Sequence, residues 1–383
     1  MKKLLVKKVV FILVFSSLVL LLGYADYYLY KLVSIGTGTV AKMLGSGVFI
    51  SKREPVSVIN EDLHKAVNFI HLEIDEVTQV VTATAFGFIE RRALYRGGLG
   101  CTLLTDSTEE QIRSQVTGNL SPLPKYQKTL PWPTGDVMPD DEYPPNIDKD
   151  KLTLALDNAF SEPDPELQRL TRAVVVVYDG RMVAERYAQG FTKETPLLGY
   201  GMTKSVINAL VSILVGQGKL AINEPVSVPE WSGPEDPRGA ITLDQLLRMS
   251  SGLEFNDSRP PLTDSVQMFG CSDMSAYAVN KPLVAKPDTR WSDSNGTTNI
   301  ISHIIRLTVN RTDAEYFAFP RRALFDRIGM RSAVIEVDAS GTFVGSTYMY
   351  ATARDWARFG LLYLQDGVWE GFSDTLEAAT DYR

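Results

Sequence analysis

Histidine and cysteine are scarce in this sequence of 383 residues, which contains three histidines and two cysteines. None of His64, His71 and His303 stands in a zinc-binding spacing such as H-E-x-x-H, so the sequence predicts no metal site and no cofactor. The same shortage weakens any catalytic triad that needs a histidine base. Cys101 and Cys271 could pair in an oxidising compartment or remain separate buried thiols, and their spacing leaves both alternatives open.

An excess of positive charge is also lacking, since 39 lysines and arginines are set against 46 aspartates and glutamates, a formal net charge of −7. A nucleic-acid-binding protein needs a basic surface to neutralise phosphates, so nucleic acid is not a predicted partner. Hydrophobic residues make up 44% of the chain and charged residues 22%, as in a globular protein with a substantial core. The length fits one large domain or two medium ones.

Charge is absent from the mostly apolar run Val9–Ala25, which follows four lysines within the first eight residues. Residues 1–25 are therefore predicted to be a signal peptide or a short membrane anchor. The small residues at the end of the run suit a cleavage site, whereas the four tyrosines between residues 24 and 30 suit the aromatic belt of an uncleaved anchor. In both cases the rest of the chain is exported, either anchored in the inner membrane and facing the periplasm or released into the periplasm.

Residues 26–148 form a second predicted region with no internal repeat. Its pattern predicts a helix over Glu61–Ile74 and a strand over Val77–Phe88. Seven prolines between residues 117 and 148 indicate an extended linker or a wrapping arm.

A third region, residues 149–383, begins with a predicted β-hairpin. Two β-rich runs, 173–178 and 182–188, are joined by Asp179-Gly180, a pair that suits a type I′ turn. Helical spacing follows over Thr203–Gln217, and Thr242 with Gln245 forms a capping box for a helix through Met249. Two more helices are predicted, 299–307 and 352–365. A hairpin followed by helices indicates the α+β class.

The segment 199–205 reads Gly-Tyr-Gly-Met-Thr-Lys-Ser and directly precedes the predicted helix. It resembles the Ser-x-x-Lys motif of the β-lactamase-related serine hydrolases, in which the serine attacks a carbonyl carbon and the lysine accepts its proton. Lys204 matches the general base, but Gly201 stands at the nucleophile position and has no side chain to acylate. Ser205 follows the lysine and is out of register. The alternative is a solvated lysine at a helix start.

The segment 286–299 resembles the family's Pro-Gly-Thr turn and the Tyr-x-Asn element that follows it. Asn295 matches the asparagine that binds the substrate amide, and Asp293 stands where the family has its proton-relaying tyrosine. Aspartate is a much stronger acid than tyrosine and is poorly matched to that role. Two alternatives remain: residues 292–294, Ser-Asp-Ser, as a degenerate Ser-Asp-Asn motif, and residues 293–296 as a plain helix-capping turn.

Further segments extend the resemblance over most of residues 45–370. Residues 246–253 are similar to the family's Leu-Leu-x-x-x-Ser-Gly-Leu turn, and 345–369 to its late helix. Residues 46–51 and 95–104 resemble 6-aminohexanoate-dimer hydrolases. The resemblance implies a β-lactamase/transpeptidase-like α+β fold, with an antiparallel sheet flanked by helices. Residues 370–383 contain neither Lys-Thr-Gly nor His-x-Gly, so we expect C-terminal strands to be missing, unless the sequence is incomplete.

The resemblance implies hydrolysis of a small-molecule or peptide amide or ester through an acyl-serine. Gly201, Asp293 and the missing third motif predict that this chemistry is impaired. The alternative is a non-catalytic exported protein that binds a peptide, cell-wall or acyl-amide ligand. Two further hypotheses are a different mechanism with an assisted water, and a glycine introduced into an active parent.

Overall fold

The computed structural model describes most of the chain, with seven gaps. The described residues are 2–63, 67–115, 129–138, 143–164, 166–258, 260–309 and 312–369. For residues 2–10 we describe the backbone alone. The predictions that concern His64, residues 116–128 and residues 370–383, among them the missing C-terminal strands, lie outside the described residues.

Helix α1, Lys2–Phe49, contains the predicted apolar run and continues well past it. Its side chains are exposed from Phe11 to Tyr30, a length of roughly 30 Å, which is the thickness of a bilayer's hydrocarbon core. It is the one helix in the described part of the chain long and apolar enough to cross a membrane. From Ser34 onward many side chains are buried, because this half of α1 packs against a sheet.

That sheet has four antiparallel strands in chain order: β1 Ile70–Asp75, β2 Val80–Ala85, β3 Ile89–Arg96 and β4 Gly100–Leu104. The strand predicted within Val77–Phe88 is confirmed as β2. The helix predicted over Glu61–Ile74 is wrong. Helix α2 covers only Pro55–Val58, a π-helical turn covers Ile59–Leu63, and Ile70 begins β1. Ile70, Leu72 and Ile74 alternate with polar residues, and this two-residue period packs one face of β1 against the core.

The second region ends with helix α3, Glu109–Ser114, and a proline-rich arm of which residues 129–138 are described. This part of the arm wraps over the C-terminal helix. Arg358 donates hydrogen bonds to the carbonyl oxygens of Pro133 (2.8 Å) and Gly135 (2.6 Å), and Trp132 is buried.

Helix α4, Lys149–Phe160, leads into the predicted hairpin, which is confirmed. Strands β5, Ala173–Tyr178, and β6, Arg181–Tyr187, pair antiparallel. Asp179 (φ 48°) and Gly180 (φ 73°) both have the positive φ of a type I′ turn.

The remaining elements surround the largest hydrophobic core and confirm the α+β class. The helices are α5 Met202–Gly216, α6 Leu243–Leu247, α7 Asp264–Phe269, α8 Met274–Val279, α9 Asn295–Val309, α10 Asp313–Pro320 and α11 Ala353–Leu364. Three short strands, β7 Leu197–Leu198, β8 Val334–Ile335 and β9 Met349–Ala351, form an antiparallel sheet in the order β7-β9-β8. The capping box of Thr242 and Gln245 is present at the start of α6.

A buried cluster joins α1 to this larger core. The Glu336 carboxylate, which is fully buried, accepts hydrogen bonds from the Lys42 ammonium, the Ser46 hydroxyl (2.7 Å) and the Cys101 backbone amide (2.7 Å). Both thiols, Cys101 and Cys271, are free, so the disulfide alternative is not realised. Residues 26–148 therefore contribute buried polar contacts to the region that follows them.

Candidate active site

The loop that enters α5 carries the predicted nucleophile position. Its first residue, Gly199, donates a backbone hydrogen bond to Met349 in β9 (2.8 Å). A Cβ on Gly199 would lie 2.2 Å from a ring atom of Trp356, so only glycine fits this close approach. Tyr200 follows with a positive φ of 45°, and the chain then turns into the helix at Gly201.

Gly201 is the N-terminal capping residue of α5, with φ −60° and ψ −20°. These angles are open to any L-residue, so glycine is not required here by backbone conformation. A Cβ built at this position meets no atom within 4 Å. A serine side chain would therefore fit, and its absence leaves the helix N-terminus facing open space.

Lys204 lies one helical turn further on and contacts the second predicted site segment. Its Nζ donates a hydrogen bond to Oδ1 of Asp293 across 2.5 Å. The lysine side chain is 20% exposed and the aspartate 61%, so the ion pair lies at the surface of the protein. The structure thus brings together the predicted base and the predicted relay position. An ammonium has three N–H donors and no lone pair, so a lysine in this state cannot accept a proton.

The predicted Ser-Gly-Leu turn holds the segment that carries Asp293. Gly252 has a positive φ of 78°, and a Cβ there would lie 2.1 Å from the carbonyl oxygen of Ala285. Beside it, the backbone amide of Ser292 donates to the carbonyl oxygen of Met249 (2.9 Å). The turn therefore sets the position of the residue next to Asp293 through backbone contacts.

Asn295, the predicted substrate-binding residue, is the first residue of α9 and is held by polar neighbours. Its Nδ2 donates to Oγ of Ser265 (2.8 Å), and that hydroxyl donates to Asp257 (2.6 Å). These bonds orient the amide of Asn295. No direct contact joins it to Lys204 or Asp293 among the described hydrogen bonds.

The alternatives for residues 292–296 divide between neighbouring side chains. Ser294 is buried, and its hydroxyl accepts the backbone amide of Thr297 (3.0 Å), so this serine performs the capping. Asp293 instead contacts Lys204. Ser294 is therefore already occupied and does not match the polar pocket residue of a Ser-Asp-Asn motif.

Three exposed apolar side chains border this site, and the sequence analysis missed them. Tyr200 and Met202 flank Gly201, and Trp291 stands two residues before Asp293. Partial burial, with the Asp62 carboxylate nearby, raises the pKa of the Tyr200 phenol, so it stays protonated at neutral pH and does not replace the family's relay. Large apolar residues immediately beside a motif were the signal available in the sequence.

Within the described ranges, no three histidine, cysteine, aspartate or glutamate side chains gather in a way that could hold a metal ion. His71 is exposed next to Glu73, and His303 lies within α9, away from the Lys204–Asp293 pair in sequence. The chemistry of the site therefore depends on its lysine, its carboxylate and the N-terminus of α5.

Comparison with known proteins agrees with this geometry. The family profile described as Beta-lactamase matches residues 156–382. A 6-aminohexanoate-dimer hydrolase from Paenarthrobacter ureafaciens is 26% identical over 226 residues, which are 55% of this chain and 56% of that protein. The chain thus spans little more than half the length of this relative.

Two solved structures are similar in fold. A candidate 6-aminohexanoate-dimer hydrolase from Bacillus anthracis has a TM-score of 0.50 at 24% identity, over 60% of this chain and 61% of that one. A class C β-lactamase from Rhodobacter sphaeroides has a TM-score of 0.42 at 18% identity, over 54% of this chain and 64% of the other. Since the matched family profile covers more than half of its residues, this chain belongs to the β-lactamase family of serine hydrolases.

Proposed function

We propose that this chain is an exported, membrane-anchored member of the β-lactamase family that does not form the acyl-serine intermediate. The observation that carries the proposal is the ion pair of Lys204 with Asp293 beside the empty position at Gly201. Serine acylation needs a hydroxyl, a base with a free lone pair and donors for the oxyanion. Here the first is missing and the second is engaged as a cation.

The substrate class of the parent reaction is an amide or ester of a small molecule or peptide. The similarity to a 6-aminohexanoate-dimer hydrolase favours a linear amide within that class. In the parent reaction, position 201 supplies the nucleophile, Lys204 the base, position 293 the proton relay and Asn295 a hydrogen bond to the substrate amide.

A binding role is the second candidate, because the site keeps features that a ligand could use. The space in front of Gly201 is open, and the exposed side chains of Tyr200, Met202 and Trp291 supply apolar surface around it. Exposed aromatic and methionine side chains at a concave polar site favour ligand contact. A peptide, cell-wall or acyl-amide ligand fits such a rim.

The test uses the parent chain, Gly201→Ser, Asp293→Tyr and the double variant, each treated with a fluorescent penicillin and a fluorophosphonate. We expect no covalent labelling of the parent or of Asp293→Tyr, and slow labelling of Gly201→Ser. The double variant should label on the order of 10²-fold faster or more, because tyrosine frees the lysine from its ion pair and restores the proton relay. Lys204→Ala in the double variant should remove this gain.

Equilibrium dialysis of the same chains with a linear ω-amino-acid dimer separates the two candidates. Retention of the intact dimer by the parent, weakened in Trp291→Ala, supports the binding role. Labelling of the parent chain would contradict the proposal, since it would place the nucleophile elsewhere.

A further inference from the structure

One end of the β1–β4 sheet presents a cluster of three phenylalanines to solvent. Phe69 lies just before β1, and Phe86 and Phe88 lie in the turn between β2 and β3; their exposed fractions are 70%, 57% and 74%. The rings of Phe69 and Phe86 stack with centroids 5.6 Å apart, and the Phe86 amide donates to the Phe69 carbonyl oxygen (3.1 Å). We call these three residues the phenylalanine tip.

The contacts of the sheet with α1 show which end carries the phenylalanine tip. The Arg91 guanidinium, near the start of β3, donates to the Ser34 hydroxyl. Further along the sheet, Cys101, which is paired with Tyr95 near the end of β3, lies against Gly45 of α1. Strand β3 and helix α1 therefore run in the same direction, and the start of β3 points towards the N-terminal half of α1.

The height of the phenylalanine tip along α1 follows from these contacts. Phe88 precedes Arg91 by three residues, which in a strand is about 10 Å. Along a helix that rises about 1.5 Å per residue, 10 Å is about seven residues before Ser34. Phe88 therefore lies level with the neighbourhood of Tyr27.

This level of α1 has the composition of a membrane interface. Tyr24, Tyr27 and Tyr30 are exposed, and the exposed apolar segment that could span a bilayer lies on their N-terminal side. Lys31 follows, with its ammonium donating to Gln267 of α7 (2.7 Å). Tyrosines on one side of an apolar span, followed by a lysine, mark the boundary between hydrocarbon and water.

We propose that the phenylalanine tip inserts into the lipid interface beside α1, as a second membrane contact of the exported domain. The proposal rests on α1 being the membrane anchor. The turn itself, Phe86-Gly87-Phe88, carries no charge that insertion would have to desolvate. Aromatic rings are favoured at the boundary of headgroups and acyl chains. Because α1 is one continuous helix from the span into the core, helix and tip together fix the orientation of the domain on the membrane.

The test is depth-dependent fluorescence quenching on the full chain, reconstituted in phosphatidylcholine vesicles. An environment-sensitive dye is attached at Phe88→Cys, at Leu20→Cys in the span, or at Val77→Cys. Val77 is a matched control, since it is 93% exposed in the turn between β1 and β2, at the opposite end of the same sheet. Each variant carries Cys271→Ala, because that thiol is only partly buried, whereas Cys101 is buried.

We expect lipids with a quencher near the headgroup to quench the dye at Phe88 several-fold more strongly than the dye at Val77. Quenching at Leu20 by deep-quencher lipids shows that the anchor is inserted. If Leu20 is quenched while Phe88 behaves like Val77, the tip proposal is overturned and the anchor stands. If Leu20 is not quenched, the anchor itself is wrong and the tip proposal is overturned with it. Phe69→Cys repeats the measurement if Phe88→Cys does not fold.

Discussion

Two residues determine the chemical state of the site. At position 201 the absence of a side chain removes the nucleophile without any gain in packing or backbone freedom, because the angles are helical and the space is open. At position 293 a carboxylate takes the lysine as its ion-pair partner. The second change alters the state of Lys204 even when the first is reversed, which is why the double variant is the informative one.

Glu336 is the residue on which the joint between α1 and the core depends. Its partner Lys42 is itself buried and lies 3.5 Å from the centroid of the Tyr348 ring. We expect Glu336→Gln to lower the free energy of unfolding by about 3–5 kcal/mol, because the Lys42 charge would remain buried without a counter-charge. Chemical denaturation of the full chain in detergent measures this loss.

The control for that variant is Lys151→Met, which removes the exposed ion pair with Asp148. An exposed pair contributes about 1 kcal/mol or less, so this variant should unfold close to the parent. Equal losses in the two variants would show that the Glu336 pair has no special weight.

Among the elements, turns rather than helices place the site segments relative to one another. The turn at Gly252 holds the strand-like segment that leads to Asp293, and the approach of Gly199 to Trp356 sets the entry into α5. Both depend on a missing Cβ. The sequence predicted the first turn through its motif, but not the backbone contact that requires its glycine.

Gly252→Ala tests this role of the turn. We expect it to destabilise the chain by more than 2 kcal/mol, since the Cβ would meet the Ala285 carbonyl oxygen in addition to the cost of a positive φ. Gly218→Ala is the matched control, with a φ of 66° and no atom within 4 Å of the added Cβ, and should cost about 1 kcal/mol.

Thermal unfolding of the two variants gives the comparison. In the background of Gly201→Ser and Asp293→Tyr, Gly252→Ala should also slow covalent labelling, because the relay position shifts. Equal stability losses at the two glycines would rule out the close contact with Ala285.

At the scale of the whole molecule, α1 is both the candidate span and a core helix. Its exposed half ends near Tyr30, and its second half buries Val40, Leu44 and Phe49 against the sheet. A signal peptide cleaved near Ala25 would leave that second half in place. The structure is therefore compatible with both a cleaved and an uncleaved segment.

Two truncations test the division of α1. Deletion of residues 1–30 should give a folded domain with an unfolding midpoint close to that of the full chain. Deletion of residues 1–49 should prevent folding, since several buried apolar side chains at about 1.5–3 kcal/mol each approach the whole stability of a domain. Circular dichroism and proteolysis distinguish the products. A folded 50–383 fragment would show that the core does not need α1.

The sequence by itself determined the family, the α+β class, the type I′ hairpin, the Thr242 capping box and the loss of the nucleophile at Gly201. Each of these depends on residues close together in the chain, where short-range sterics and hydrogen bonding decide the outcome. The identity of the residue at position 293 was also legible, although its contact was not.

Only the tertiary structure decided how distant segments meet. It placed the Lys204 ammonium on Asp293, extended α1 into the core, made Ile70 the start of a strand and brought the phenylalanine tip level with Tyr27. In each case the result depends on burial against a partner far away in the chain. Such a partner overrides local propensity, and its identity is not encoded in the neighbouring residues.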